Sequence, residues 1–138
     1  YQCKISKLIH VPDNKEMIKS AINGLIIEGA QIVLVSGGMS VDADDVTPLA
    51  IKEVSDRIVT YGSPVLPGAM FMLAYKKDIP IVGIPACGMY YKTTVFDLVF
   101  PRLLAGETLT RKDITKLGHG GLCQNCENCR YPNCTFGR

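Results

Sequence analysis

The sequence has no long apolar run, little net charge and no nucleotide-loop motif, and each of these absences excludes a class of protein. No stretch of about 18 apolar residues occurs, so we expect no transmembrane helix. The formal net charge of +2 is too small by itself to indicate binding to nucleic acid or to an anionic membrane. Neither a Gly-x-Gly-x-x-Gly nor a P-loop string is present, which argues against a generic nucleotide-binding domain.

Signs of secretion are also missing. Neither an initiator Met nor a signal-peptide layout is found at Tyr1, and the opening residues are typical of the interior of a longer chain. Cys3 and Cys87 are isolated, and four further thiols crowd the C-terminal end: Cys123, Cys126, Cys129 and Cys134. We therefore expect a cytoplasmic protein in which thiols and metal ligation are favoured over a disulfide framework.

Short apolar segments alternate between the patterns of strands and helices. The chain has 138 residues, enough for one compact core. Strands are predicted at 4–11, 31–35, 58–61 and 80–84, and helices at 15–28, 49–56, 69–77 and 95–104. This alternation predicts an α/β fold of three αβα layers with a mostly parallel sheet. We expect a domain over residues 1–106, followed by a linker and a short Cys-rich C-terminal tail over 107–138.

The loop after the second predicted strand has an unusual composition. Gly37 and Gly38 allow a tight turn, and their N–H groups can face an anion such as phosphate. Three acids follow at Asp42, Asp44 and Asp45, and carboxylates suit a divalent cation that would neutralise the phosphate. Glycine pairs and Asp are also routine in loops, so a purely structural loop is an equally good interpretation of this composition.

The same loop leads into a helix start, where Thr47 is predicted as the N-cap and Pro48 as the first helical residue. The whole string, Ser-Gly-Gly-Met-Ser-Val-Asp-Ala-Asp-Asp-Val-Thr-Pro over 36–48, resembles the signature of the molybdenum-cofactor biosynthesis domain. That domain is shared by molybdopterin adenylyltransferases, molybdopterin molybdenumtransferases and gephyrin. Pro67-Gly68 and Gly83-Ile84-Pro85 resemble later family motifs, and the resemblance covers about residues 5–104.

The resemblance implies a pterin dithiolene phosphate bound across these loops. Asp45 would be the catalytic residue and would orient Mg²⁺ or molybdate. The other expected ligand-binding residues are Ser36, Gly37, Gly38, Ser40, Asp42, Thr47, Pro67, Gly68 and Pro85. The expected ligand is molybdopterin or its adenylated form, and the expected partners are a molybdoenzyme and further copies of the chain.

The sequence departs from the family pattern at two places. The family's opening strand and helix, which carry part of its pocket, are not found ahead of the matching segment. The loop Gly83-Ile84-Pro85-Ala86-Cys87-Gly88 lacks the family's Gly-Asn-Pro ending. Cys87 is interpreted either as a thiol at the pocket mouth or, more commonly for such a residue, as a small buried side chain.

The tail carries a second signal. Its four cysteines have the spacing Cys-x-x-Cys-x-x-Cys-x-x-x-x-Cys, which predicts a metal site. Four thiolates suit a structural Zn²⁺, and the first three spacings also match those of bacterial ferredoxins. The choice between zinc and an iron–sulfur cluster stays open at this point.

Two functions follow from these features. The first is a molybdopterin-binding domain that inserts molybdate or matures the cofactor, leaning towards a transferase of the molybdenumtransferase type. The alternative is a non-catalytic molybdopterin carrier or sensor, whose Cys tail docks a partner enzyme or reports redox state.

Overall fold

The computed structural model describes residues 2–40, 42 and 44–138. Within them, the strands are β1 (Val33–Ser36), β2 (Arg57–Tyr61), β3 (Met72–Lys76) and β4 (Ile79–Ile84). The α-helices are α1 (Lys15–Ile27), α2 (Thr47–Val54), α3 (Val95–Leu104) and α4 (Arg111–Lys116), with a short 3₁₀ helix at Ala86–Met89. None of the helices in these parts of the chain combines the length and the apolar character needed to cross a bilayer.

The strands form one mixed sheet in the order β1-β4-β3-β2. The pair β1–β4 is parallel, while β3 pairs antiparallel with both β4 and β2. The α/β class is confirmed, with one parallel and two antiparallel pairs among the described strands. The antiparallel pair β3–β4 has a physical reason, because only Lys77 and Asp78 connect the two strands, and a parallel crossover needs a dozen or more residues.

The prediction of a helix over 69–77 is wrong, because Met72–Lys76 forms β3. The segment from Phe71 to Tyr75 is entirely apolar or aromatic, and each of its residues is at most 2% exposed. A run that is buried on all sides has no polar face, so its periodicity does not separate a buried helix from a central strand. Lys77, with φ +52°, then makes the tight turn into β4.

The predicted strand over 4–11 is also wrong. No strand is assigned to that segment, and Ile5 and Leu8 are 87% and 75% exposed. A strand requires a neighbour that supplies its hydrogen bonds, and the sheet of the described residues pairs none with this segment. At the start of α2, Thr47 is the first helical residue rather than the cap, which is Val46.

Apolar residues cover both faces of the sheet and make two cores. On one face, Met72, Ala74 and Ile81 pack with residues of α1 and α2. On the other, Phe71, Leu73, Tyr75 and Val82 pack with residues of α3 and α4. Successive residues of β3 alternate between the two cores, as the pleat of a strand requires. This arrangement confirms the three αβα layers.

The C-terminal segment is packed onto the second of these cores. Leu109, Ile114 and Phe136 are at most 5% exposed and belong to the cluster built on α3. The hydroxyl of Tyr131 donates to the carbonyl oxygen of Asp97 in α3 at 2.9 Å. Residues of the tail therefore take part in the core that holds the sheet.

We predict that Phe136→Ala lowers the free energy of unfolding by about 3 kcal/mol, because truncating a buried Phe leaves a cavity. Urea unfolding followed by circular dichroism measures the change. Tyr90→Ala is the matched control, since Tyr90 is 79% exposed and its loss should change stability by about 0.5 kcal/mol or less. Equal losses in the two variants would contradict the packing of the tail onto the core.

A second prediction concerns Asp113 in the first turn of α4, whose carboxylate accepts hydrogen bonds from the N-cap residue Thr110, from Oγ1 at 2.5 Å and from N at 2.9 Å. The side-chain bond first, then the backbone bond, lowers the pKa of the Asp113 carboxyl from 3.8 to about 2. The stabilisation is therefore complete above pH 3.8 and is lost as pH falls towards 2. Thr110→Val should raise this pKa in an NMR titration, whereas an unchanged value would assign the shift to other contacts.

Candidate functional site

Three segments of chain meet at one edge of the sheet. Ser36 at the end of β1 pairs with Ile84 at the end of the parallel strand β4. The antiparallel strand β3 begins at the same edge, where Met72 pairs with Gly83. The loops after β1 and β4 and the loop before β3 are therefore neighbours. This is the edge of an α/β sheet at which ligands collect.

The loop after β1 folds tightly against the start of α2. Gly38 has φ +58°, and a Cβ atom on it would lie 2.7 Å from Thr47 Oγ1. The carboxylate of Asp45 accepts the backbone N–H of Ser40 at 2.5 Å, and the N–H of Asp45 donates to the Asp42 carbonyl at 3.1 Å. These bonds close the loop and fix the orientation of the Asp45 side chain.

A cavity of about 550 Å³ opens between the three loops. Its wall is mainly apolar and includes Met39, Leu66, Met70 and Tyr91. Met39 reaches under the loop because Gly83 has no side chain, and a Cβ there would lie 2.5 Å from Met39 Cε. We call this space the apolar cavity.

A second depression of about 590 Å³ adjoins the apolar cavity and carries charge. Asp42, Asp45 and Lys52 line it. Ser40 and Met70 line both spaces, so the two are adjacent, with the β1 loop and the loop before β3 between them. We call the second space the acidic depression.

The structure brings together most of the predicted site residues. Ser40, Pro67, Gly68 and Pro85 line the apolar cavity, and Ser40, Asp42 and Asp45 line the acidic depression. Of the residues described, four predicted members line neither space: Ser36, Gly37, Gly38 and Thr47. Thr47 is 2% exposed and lies against Gly38. These two residues therefore shape the loop without lining either space. Val41 and Ala43 of the predicted motif lie outside the described residues.

The sequence analysis missed several lining residues. Lys52 could have been predicted, since it follows Pro48 by four residues and therefore lies on the same face of the helix. Met70 was missed because the sequence predicted a helix over 69–77. Leu122 and Asn125 of the tail line the apolar cavity, and no local pattern predicts that contact.

Two thiols lie in the wall of the apolar cavity, Cys87 and Cys123. Burial raises the pKa of the Cys87 thiol above its usual range, which favours the protonated form. The placement of Cys87 at the pocket mouth agrees with one of its two interpretations from sequence.

The four tail thiols line a further cavity of about 440 Å³, beside Lys92 and Thr93. The Thr93 hydroxyl lies 3.4 Å from Cys129 Sγ, and this contact lowers the pKa of the Cys129 thiol. Over residues 2–40, 42 and 44–138, no three His, Cys, Asp or Glu side chains converge at a spacing that holds a metal ion. The predicted metal site of the tail therefore stays a prediction.

A comparison with protein families covers the segments that meet at this edge of the sheet. A family described as a probable molybdopterin-binding domain matches residues 1–105. The chain belongs to this family. The match covers the loops after β1 and β4 and the loop before β3, so the resemblance drawn from the 36–48 string is confirmed.

The fold has a solved counterpart. The molybdopterin biosynthesis enzyme MoaB of Thermus thermophilus superposes with a TM-score of 0.58 at 24% sequence identity, covering 70% of this chain and 67% of that chain. This likeness supports the fold of the molybdopterin-binding domain. No curated protein sequence matches the chain.

We predict that Gly38→Ala destabilises the protein by about 1–3 kcal/mol, because the new methyl group would meet Thr47 Oγ1 in a filled space. A double-mutant cycle with Thr47→Ala, measured by urea unfolding, isolates that contact. Gly38→Ala should cost less in the Thr47→Ala background, where the hydroxyl is gone. Equal costs in both backgrounds would show that the contact does not restrict position 38.

Proposed function

We propose that this domain binds molybdopterin and acts in molybdenum-cofactor biosynthesis, at the step that inserts molybdate into the bound pterin. The observation that carries the proposal is that the acidic depression adjoins the apolar cavity, which lies at the carboxyl ends of β1 and β4. One space suits a flat organic ring, and the other suits the phosphate, the metal and the oxyanion. A ligand that spans Ser40 and Met70 would occupy both.

The apolar cavity has a size and lining that fit a pterin. Its volume of about 550 Å³ lies within the range of small-molecule sites. Leu66 and Tyr91, which are 54% and 42% exposed, offer apolar surface to the faces of a ring. Gly68 forms part of the wall with φ +128°, and a Cβ on it would overlap Val95 Cγ1, so only glycine leaves this surface in place.

The phosphate of the ligand is expected at the start of α2. Val46, the cap residue, makes no side-chain hydrogen bond to the helix, so no capping side chain covers this end of α2. The backbone N–H groups at a helix N-terminus carry partial positive charge and attract phosphate. Lys52 lines the same depression and adds a full positive charge.

Asp42 and Asp45 would hold the divalent cation that the phosphate and the molybdate require. Carboxylate oxygens are the ligands that Mg²⁺ prefers, and a bound cation would reduce repulsion between the acids and an incoming oxyanion. The hydrogen bond from Ser40 N holds the Asp45 carboxylate in one orientation, as a group that positions a cation needs. We assign the residues of this chain to binding, orientation and charge, which is how phosphoryl-group chemistry is commonly accelerated.

The second candidate function is a molybdopterin carrier or sensor. It is favoured by the contribution of Leu122, Cys123 and Asn125 of the tail to the wall of the apolar cavity. A partner that contacts the tail would reach the bound pterin directly. Incubation of the pterin-loaded protein with molybdate and Mg²⁺ separates the two functions, because an insertase forms more than one equivalent of product per chain and a carrier does not.

We predict that Asp45→Asn weakens Mg²⁺-dependent binding of molybdopterin about tenfold or more, the loss expected for one charge-assisted interaction of about 1.5 kcal/mol. Asn keeps an oxygen that can accept the Ser40 N–H, so the loop is preserved while the charge is removed. Anaerobic titration of the full chain with molybdopterin, with and without Mg²⁺, measures the effect.

The matched control is Asp44→Asn, which makes the same charge change in the same loop, at an exposed residue that lines neither space. It should bind as the unchanged protein does. The assignment of Asp45 would be rejected if both variants lost the same affinity, or if Asp45→Asn kept full Mg²⁺-dependent binding.

A further inference from the structure

We infer that the C-terminal tail binds a [4Fe–4S] cluster through four thiolates: those of Cys123, Cys126, Cys129 and Cys134. This inference goes beyond the proposed function, and its test does not depend on pterin binding. The fold brings all four thiols to one cavity of about 440 Å³. All six cysteines of the chain lie among the described residues, and none of them forms a disulfide.

Both ends of the cysteine segment are fixed to the domain. Before the segment, Leu66 N donates to Gly121 O at 2.7 Å and Cys123 N donates to Leu66 O at 2.8 Å. After it, Gly137 N donates to Gly120 O at 2.9 Å, which closes the segment into a loop. The buried Phe136 anchors the same end in the core. The domain thus holds the cysteine segment as a closed loop whose four thiols line one cavity.

The tip of this loop has little else to stabilise it. All of residues 124–130 are exposed, including Cys126 and Cys129. An exposed segment of this length loses conformational entropy on ordering, and it buries no large apolar side chain in return. Bonds from its thiolates to a metal centre would supply the missing stabilisation, as in other small metal-binding segments.

The charges around the cavity suit an anionic metal–thiolate centre. Lys92 and Arg130 line the cavity, and no Asp or Glu is among its described lining residues. Lys92 Nζ donates to the carbonyl oxygen of Glu127 at 2.9 Å, which holds the positive charge beside the loop. The Thr93 hydroxyl lies 3.4 Å from Cys129 Sγ, and hydrogen bonds to sulfur are a recognised feature of iron–sulfur sites.

The cysteine spacing favours a cluster over a single ion. The run Cys-x-x-Cys-x-x-Cys is the one by which ferredoxins place three ligands on one cluster. Cys134 follows after four residues, where the ferredoxin run has three, and it lines the same cavity as the other three thiols.

Assembly of the cluster balances without an external oxidant. Four thiols release four protons to solvent, and the thiolates then bind two Fe²⁺ and two Fe³⁺ joined by four sulfides, which together make the [4Fe–4S]²⁺ state. Leu122, Cys123 and Asn125 line both this cavity and the apolar cavity, so the cluster would stand in a wall of the apolar cavity.

The test is anaerobic reconstitution of the full chain with equal amounts of Fe²⁺ and Fe³⁺ plus sulfide, followed by gel filtration. We expect about four irons and four sulfides per chain. We also expect broad visible absorption that bleaches on reduction with dithionite. Cys126→Ser should lose this absorption and most of the bound iron. Cys126 is exposed, so the variant should keep its circular dichroism spectrum and fold.

Cys3→Ser is the matched control, because Cys3 is also exposed but lies outside the tail, and it should bind iron and sulfide as the unchanged protein does. The inference is overturned if the protein takes up one Zn²⁺ in preference to iron and sulfide. It is also overturned if the reconstituted protein stays colourless, or if Cys3→Ser loses as much iron as Cys126→Ser.

Discussion

The parallel pairing of β1 with β4 is the constraint on which the rest of the site depends. In this register Val35 pairs with Gly83 and Ser36 with Ile84, so both strands end at the same level. The loop after β1 and the loop after β4 then leave the sheet side by side. The missing side chain at Gly83 lets Met39 pack beneath them. A shift of this register by one residue would separate the loops and reverse the faces of β1.

The C-terminal tail is packed against the domain at two places. It pairs with the loop before β3 through Leu66, and it enters the core of α3 through Phe136. Leu66 and Cys123, which hold one end of the cysteine loop, also line the apolar cavity. The domain that the family match covers and the segment beyond it therefore share one surface, on which the proposed pterin site and the proposed cluster are neighbours.

Asp45 illustrates how one side chain serves structure and proposed chemistry together. Its carboxylate closes the β1 loop on Ser40 N and faces the acidic depression next to Asp42. Sequence reasoning found Asp45 as one of three acids in the loop and through the family string. It did not find Lys52, whose charge reaches the depression from the second turn of α2.

The sequence by itself determined the α/β class, the loop after β1 and the clustering of thiols, because these follow from local composition and spacing. It failed where the answer depended on distant neighbours. Phe71 to Tyr75 is apolar throughout, and only a place between β4 and β2 makes it a strand. Residues 4–11 have the pattern of a strand and no partner in the described sheet. Tertiary structure alone placed Leu122 at the apolar cavity, because a contact with Leu66 across more than fifty residues leaves no periodic trace in sequence.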